Sequence, residues 1–178
     1  MASDEPEPTT GDDKDWTWAA ERRCPDCGFD PQAVEGTELG GALRATTDRW
    51  RAVVARSDTA TRPAPGVWSP LEYACHVRDV HRVFTERVAL MLARDDPGFA
   101  NWDQDAAAVE GRYFEQDPAA VADQIAAAAE ATAAQYDSVP GDAWQRTGRR
   151  SNGSAFTVLS IGRYHLHDVV HHLHDVHG

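Results

Sequence analysis

Hydrophobic side chains recur at intervals of three and four along four long stretches of the chain, which predicts four amphipathic helices. The first runs from about Glu38 to Arg56. The second follows the capping box Ser69-Pro70-Leu71-Glu72, which places proline at the first helical position, and it stops near Asp96. Trp68, before the cap, can pack on Tyr73 as a hydrophobic staple.

The second half of the chain predicts the other two helices. Asp117-Pro118 begins the third by the same combination of cap and proline, and Pro140-Gly141 ends it. Thr157 is the expected cap of the fourth. The connection before the third helix holds a short helical stretch near Asp105 to Gly111, and no run alternates as a strand does. We therefore predict an all-α protein, a four-helix bundle.

The chain divides into three parts by composition. Residues 1–15 are rich in Asp, Glu, Pro and Thr, which is typical of a disordered acidic tail. Residues 16–36 carry the CxxC motif and Pro31, and we expect an irregular N-terminal extension there. Residues 37–178 hold the four predicted helices and form the bundle.

The charge narrows the classes of partner. A net charge of −12 repels phosphate backbones, so we expect no nucleic-acid partner. No apolar run is long enough to span a membrane, and the N-terminus is too acidic for a secretory signal. We therefore expect a cytoplasmic protein. The basic cluster Arg146, Arg149 and Arg150 is interpreted as a solvated turn, with a carboxylate-bearing ligand as a second interpretation.

Histidines concentrate in the fourth predicted helix. His167 and His171 are four residues apart, so both imidazoles lie on one face of a helix. His76 shares the apolar face of the second helix with Tyr73 and Phe84, so it is the candidate for a third ligand. Three imidazoles would hold a divalent metal and leave a coordination position open, as a catalytic metal requires.

The other histidines of this helix have simpler explanations. His165 and His172 fall on the opposite flank of its apolar stripe. His174 and His177 are close to the end of the helix, where a cationic side chain compensates the helix macrodipole.

Two carboxylates have the spacing of groups that orient metal-binding histidines. Asp79 is three residues after His76, and Asp175 is four after His171. Ligating histidines usually donate their second ring N–H to such a group. A solvated helix face explains both aspartates equally well.

The cysteines allow several interpretations. Cys24-Pro25-Asp26-Cys27 is a CxxC motif, but a closed zinc site needs four ligands and no second cysteine pair exists, since Cys75 stands alone. A redox motif needs a βαβ context, and none is predicted. A local turn with reduced thiols is the plainest interpretation. A donated metal ligand, a second metal, a redox pair and a disulfide at Cys24 and Cys27 all stay open.

Two segments resemble the DinB-like (YfiT-like) metalloproteins. One is Trp68-Ser69-Pro70-Leu71-Glu72-Tyr73-Ala74-Cys75-His76-Val77-Arg78-Asp79, and the other is His167-Asp168-Val169-Val170-His171-His172-Leu173. The resemblance covers the chain from about Leu39 onward. It implies a four-helix bundle with a metal-binding triad, which by position is His76, His167 and His171. The CxxC extension and the excess of histidines are departures from the simplest members.

The resemblance also implies a chemistry, because the family includes thiol transferases that use mycothiol or bacillithiol. Our leading hypothesis is that the triad binds Zn²⁺ or Ni²⁺ and activates a low-molecular-weight, mycothiol-like thiol for transfer to a small electrophile. A metal hydrolase is a variant, with Glu72 or Asp79 as its base. The alternatives are a non-catalytic metal-binding module and a bundle with incidental histidines. A homodimer stays open.

Overall fold

The computed structural model describes Thr9 and residues 15–178. Most of the predicted acidic tail, residues 1–8 and 10–14, lies outside the described residues. Four long helices form a bundle, so the predicted fold is confirmed. Within the described part of the chain no helix has both the length and the apolar character needed to cross a membrane. The helices are α1 Leu39–Val54, α2 Pro70–Ala93, α3 Gln104–Glu110, α4 Pro118–Asp137 and α5 Val158–Asp175, of which α3 is a short helix in a connection.

The start of α2 is fixed by local hydrogen bonds. Ser69 Oγ accepts a bond from the Glu72 N–H, and Glu72 Oε2 accepts one from the Ser69 N–H. The rings of Trp68 and Tyr73 contact edge to face with centroids 5.4 Å apart. Both devices fix the direction in which α2 leaves the preceding loop. They therefore also fix the position of His76, two turns into the helix.

The bundle core lies between two helix pairs, with α1 and α2 each packed against α4 and α5. Arg44 on α1 donates to Glu130 and Asp137 on α4, which reinforces one of these contacts at the surface. The largest fully buried apolar side chains of the helices are Leu39, Leu43, Trp50, Leu71, Met91, Ile125, Tyr136, Ile161 and Leu173.

A three-stranded sheet, which the sequence did not predict, joins the connection between α2 and α3 to the connection between α4 and α5. Its strands are β1 Gly98–Phe99, β2 Thr147–Arg150 and β3 Ala155–Thr157. β1 pairs with β2 in parallel and β2 with β3 in antiparallel orientation. Strands of two to four residues are too short to show alternation. The sheet brings the connection before α3 and the β2–β3 hairpin together beside α5.

The N-terminal extension consists of 3-10 turns at Thr17–Ala20, Pro31–Ala33 and Gly36–Glu38. The first and second turns contact α5. Arg163 of α5 donates to the carbonyl oxygen of Val34 at 3.0 Å. The irregular character expected for this segment agrees with the turns, while the boundaries of the three parts stay predictions.

Candidate metal centres

Helix α5 presents two pairs of ligand groups that are offset by one residue. One pair is His167 and His171, and the other is Asp168 and His172. Each pair has the i,i+4 spacing that aligns side chains on one face. A shift of one residue rotates the face by about 100°. The first pair lies against the extension, and the second lies against α2.

The ligand group that lies against α2 contains the pair Asp168 and His172 together with His76, and it is here called the α2–α5 site. Asp168 Oδ1 lies 3.4 Å from His76 Nε2 and 3.6 Å from His172 Nε2. His76 is fully buried, and neither of its ring nitrogens has a hydrogen-bond partner; Asp168 Oδ1 is likewise buried and unpartnered. Three ligands around a metal at about 2.1 Å lie about 3.4 Å apart in tetrahedral geometry, so the group fits a divalent ion.

The electrostatics of the α2–α5 site favour a cation. Burial lowers the pKa of His76, so this imidazole is neutral. Burial alone would raise the pKa of Asp168, but His172 and His76 more than offset it and hold the pKa well below its usual range. Asp168 is therefore an ionised carboxylate beside a neutral imidazole. A bound divalent ion would balance that charge.

Asp175 connects the two pairs of α5 ligands. Its Oδ2 lies 2.9 Å from His172 Nδ1, and its Oδ1 lies 3.7 Å from His171 Nε2. If His172 carries its proton on Nδ1, that N–H donates a hydrogen bond to the Asp175 carboxylate. The lone pair on Nε2 then points toward Asp168. Sequence analysis expected Asp175 to orient His171, whereas the structure places it nearer to His172, and its role as an orienting group stays a prediction.

A cavity of about 810 Å³ opens beside the site, and Asp168 and His172 are among its lining residues. Trp102 stacks on the His76 ring at 5.4 Å between centroids, and Trp68 lies 5.3 Å from it on another side. Arg150 also lines the cavity, held by Asn152 Oδ1 and Ser154 Oγ. The cavity can therefore hold a small molecule and offers it a cationic contact.

The second group, here called the cysteine–histidine site, consists of Cys24, Cys27, His167 and His171. Their four donor atoms all lie within 4.8 Å of one another. Cys24 Sγ is 3.6 Å from His171 Nδ1. Cys24 is fully buried, and His167 Nε2 is buried without a hydrogen-bond partner. Trp16 and Phe29 pack on these histidines, with ring centroids 4.8 Å from His171 and 5.8 Å from His167 respectively.

Without a metal, burial disfavours charge on this second group. It raises the pKa of the Cys27 thiol to about 11, although the backbone N–H of Phe29 opposes the shift. It lowers the pKa of His167 to about 4, with the neighbouring His171 as a further cause. The neutral Cys27 thiol and two neutral imidazoles thus lie together with the buried sulfur of Cys24. This is a donor set suited to a soft or borderline cation.

The predicted triad is divided between the two groups. His167 and His171 lie with the cysteines, whereas His76 lies with Asp168 and His172. The three predicted ligands do not form a group of their own. His172, which sequence analysis had set on the opposite flank, lies 4.8 Å from His76 between ring centroids. The triad stays a prediction, and Asp168 and His172 are the two residues that sequence reasoning missed.

A signal for the missed pair was present. Asp168 and His172 have the same i,i+4 spacing as His167 and His171, and carboxylates are metal ligands as well as supports. Considering only pairs of histidines hid this combination. Asp79, the other expected support, accepts hydrogen bonds from Tyr113, Arg78 and Arg82, and neither His76 nitrogen donates to it.

The remaining buried histidines form a separate chain of polar groups. His81 Nδ1 lies 3.0 Å from His165 Nε2, and His165 Nδ1 lies 3.2 Å from the Tyr136 hydroxyl. Burial lowers the pKa of His81 to about 4 and that of His165 well below its ordinary value. Both are neutral core histidines at physiological pH. This agrees with the sequence interpretation that left His165 out of the metal site.

Four helices with clustered candidate ligands between α2 and α5 define the chain as a four-helix bundle with a His-rich candidate metal site. Residues 42–176 match the family model of the DinB superfamily. The chain therefore belongs to the DinB superfamily, as the resemblance of its two motifs had indicated.

A solved structure supports the same fold. The chain resembles YfiT from Bacillus subtilis, described as a probable metal-dependent hydrolase with an unusual four-helix bundle topology. The TM-score is 0.71 at 17% identity, and the match covers 82% of this chain and 89% of YfiT. No curated protein matches the chain.

Proposed function

We propose that the chain is a divalent-metal-dependent enzyme whose metal is held at the α2–α5 site. The observation that carries the proposal is the convergence of three ligand atoms, two of them buried without partners, beside a cavity of about 810 Å³. Three protein ligands leave a position open for a small molecule. Zn²⁺ is the leading candidate and Ni²⁺ the second, because imidazole and carboxylate ligands suit both.

We further propose that the enzyme activates a low-molecular-weight thiol and transfers it to a small electrophile. The thiol proton would pass to solvent, a bond would form between the sulfur and a carbon of the electrophile, and the leaving group on that carbon would depart with its bonding electrons. A divalent metal supplies Lewis acidity, which favours deprotonation of a thiol at neutral pH. Asp168 and His172 border the cavity, so a thiol entering there would reach the site directly. Such a reaction needs no carboxylate base from the protein, and this distinguishes it from hydrolysis.

The carboxylates that sequence analysis offered as bases for a hydrolase are already engaged. Glu72 accepts bonds from the Arg62 guanidinium and the Ser69 N–H. Burial raises the pKa of Glu72, but these partners offset it and leave the pKa below its usual value. The pKa of Asp79 is also lowered, because Arg78 and Tyr113 outweigh the effect of burial. A carboxylate with a depressed pKa is a weak general base.

Arg150 points to the chemical class of one substrate. Its guanidinium lines the cavity and lies 6.0 Å from the ring centroid of Tyr164. An electrophile with a carboxylate would pair with this cation while its reactive carbon faces the α2–α5 site. Arg150→Gln should raise KM for a carboxylate-bearing electrophile and leave KM for its methyl ester unchanged. Equal effects on acid and ester would contradict this contact.

The test of the enzyme combines metal analysis with a screen of thiols against an electrophile panel. The metal-loaded wild type should consume electrophile only when thiol is added. Asp168→Asn should lose both that reaction and one bound metal. His174→Ala is the matched control, because His174 is an exposed histidine of α5 outside both ligand groups, and it should change neither quantity.

Three kinds of outcome would overturn the proposal in different ways. Reaction that proceeds equally without thiol would favour hydrolysis, and YfiT is described as a probable metal-dependent hydrolase. Stoichiometric metal without turnover of any substrate would favour the non-catalytic metal-binding module. If the wild type binds no metal, or Asp168→Asn binds as much as the wild type, the α2–α5 site is not a metal site.

Metal content per chain distinguishes the predicted triad from the arrangement with two separate ligand groups. If His76 and His167 hold the same ion, the variants His76→Ala and His167→Ala each lose that ion, and the double variant loses no more. If they belong to separate sites, the double variant loses two ions where each single variant loses one. Metal content per chain, measured on folded protein, therefore decides between the two ligand sets.

A further inference from the structure

We propose that the cysteine–histidine site binds a second divalent metal, with zinc as the ion that fits, and that this closed structural site fastens the N-terminal extension to α5. The proposal is independent of the reaction at the α2–α5 site. It rests on the donor set, the distances between donor atoms and the local geometry of the CxxC turn.

The donor set is that of a structural zinc site. Two thiols and two imidazoles complete the four positions that zinc prefers, so no position is left for a substrate. The α2–α5 site has only three ligands, so an ion there would keep a position open, which suits the opposite role. His167 and His171 line the cavity as Asp168 and His172 do, so the number of ligands, and not access to the cavity, separates the two roles. On binding, both thiols release their protons to solvent, and two thiolates with one divalent cation form a neutral cluster that can be buried.

The distances are close to those of a bound ion. Zinc with sulfur ligands at about 2.3 Å and nitrogen ligands at about 2.0–2.1 Å holds neighbouring sulfur and nitrogen atoms about 3.5 Å apart. Cys24 Sγ and His171 Nδ1 lie 3.6 Å apart. All four donor atoms lie within 4.8 Å of one another, so a bound ion would draw the more distant donors inward. The unpartnered His167 Nε2 supplies the remaining nitrogen.

The CxxC turn is shaped to present both sulfurs to one point. The Cys24 N–H bonds to the Phe29 carbonyl at 2.8 Å, and the Gly28 N–H bonds to the Cys24 carbonyl at 3.0 Å. Gly28 has a φ of +76°, a conformation that glycine adopts without strain. The next residues fold back toward α5, where Phe29 packs on His167.

Such a site would hold the N-terminal extension in place on α5. The extension has only short 3-10 turns, and an isolated segment of this kind is not stable in itself. Fastened to α5, it places Trp16 at the wall of the cavity, 4.8 Å from His171 between ring centroids. The structural metal would therefore complete one side of the pocket that serves the α2–α5 site.

The test uses the full chain, stripped of metal and reconstituted with Co²⁺. A thiolate-to-cobalt charge-transfer band should appear in the near ultraviolet, and the cysteine thiols should become resistant to alkylation. The wild type should bind two zinc ions per chain, and the double variant C24S/C27S should bind one and lose the band. Asp168→Asn should keep the band, because that change removes the ion of the other site. His174→Ala should change nothing.

The cobalt spectrum of the wild type needs no variant, so it tests the proposal even if C24S/C27S fails to fold. Absence of the band in reconstituted wild type would overturn the proposal. So would a Cys24–Cys27 disulfide in the freshly purified protein that persists while the full metal content is bound. Loss of the α2–α5 ion alone, in Asp168→Asn, would leave this site intact, so failure of one proposal is distinguishable from failure of the other.

Discussion

At the scale of single residues, the carboxylate of Asp175 is the contact shared by both ligand groups. It lies beside His172 of the α2–α5 site and His171 of the cysteine–histidine site. One acidic side chain thus lies beside a histidine of each group, within hydrogen-bond distance of His172 and farther from His171. Its role is distinct from that of Asp168, whose oxygen is itself a donor to a metal.

Asp175→Asn should weaken metal binding without removing a ligand. Loss of an orienting carboxylate typically costs about 10–100-fold in metal affinity. We expect a decrease of that size, with unchanged metal content at saturation, when the protein competes with a chromophoric chelator. Asp123→Asn, at an exposed position of α4, is the matched control and should bind metal as the wild type does. Equal affinities of the two variants would show that Asp175 is a solvated side chain only.

His81 gives a prediction about acid stability. Burial lowers its pKa from 6.5 to about 4, so between these pH values the unfolded chain binds a proton that the folded chain excludes. The unfolding free energy therefore falls as the pH falls through this window. Comparing about pH 8 with about pH 5, the contribution of His81 is roughly 2 kcal/mol.

The variant His81→Asn tests this contribution, because it removes the titratable group beside His165 and keeps a polar side chain there. Denaturant unfolding of both proteins at several pH values should show a smaller acid-induced loss in the variant, by about 2 kcal/mol. Beyond the effect of burial, His81 also lowers the pKa of His165, so the difference between the two proteins reports the His81–His165 pair. Parallel pH profiles would contradict the assignment.

At the scale of helices, two adjacent glycines in α1 have opposite environments. A Cβ at Gly40 would lie 2.2 Å from Asp137 Oδ1 and 2.8 Å from the Ala133 carbonyl oxygen of α4. A Cβ at Gly41 would meet nothing within 4 Å. Gly40 is therefore the point at which α1 and α4 approach closely, and Asp137 there also receives a hydrogen bond from Arg44.

Alanine at these two positions should have effects of opposite sign. Gly40→Ala forces α1 away from α4, and we expect a loss of about 1–3 kcal/mol in the free energy of unfolding. Gly41→Ala reduces the entropy of the unfolded chain in an exposed helical position and should gain up to about 1 kcal/mol. Denaturant titration of both variants measures the difference. Two changes of the same sign would show that helix propensity, and not the α1–α4 contact, governs this region.

The helices were predictable because their signals are local. Ser69 and Glu72 form a capping box within four residues, and Thr157 caps α5 through Ser160 in the same way. The sheet was not predictable, since β1 and β2 are almost fifty residues apart and each has too few residues to show alternation. Docking of the extension is equally non-local, because it depends on contacts such as the bond from Arg163 to Val34.

The candidate site was predictable only in part, because only some of its signals are local in the sequence. The i,i+4 spacing of His167 and His171 is visible in the sequence, but which helix face meets α2 is set by the rotation of α5 in the core. Leu166, Val169 and Leu173 fix that rotation by their burial. The flank carrying Asp168 and His172 consequently faces His76, and the flank carrying His167 and His171 faces an extension whose position no helix pattern reveals.

At the scale of the whole molecule, the cavity exists only because distant parts of the chain meet. Trp16 comes from the extension, Trp68 from the loop before α2, Trp102 from the connection after β1, and Arg150 from the hairpin. Metal ions at two adjacent sites would thus stabilise the pocket from two sides. The expectations of a cytoplasmic location, no nucleic-acid partner and an open oligomeric state stay predictions.

Removing metal should therefore release the extension before it unfolds the bundle. Arg22 and Arg23 are exposed and directly precede Cys24, so trypsin cleavage there reports whether the extension is docked. After chelation we expect cleavage to be at least about tenfold faster, since metal binding stabilises only the docked form. Mass spectrometry of the fragments gives the site and rate, and helical circular dichroism shows that the bundle persists. C24S/C27S should be cleaved rapidly even with zinc present, whereas zinc-loaded Asp168→Asn should resist like the wild type. A cleavage rate that chelation leaves unchanged would mean that apolar packing by Trp16 and Phe29 alone holds the extension on α5.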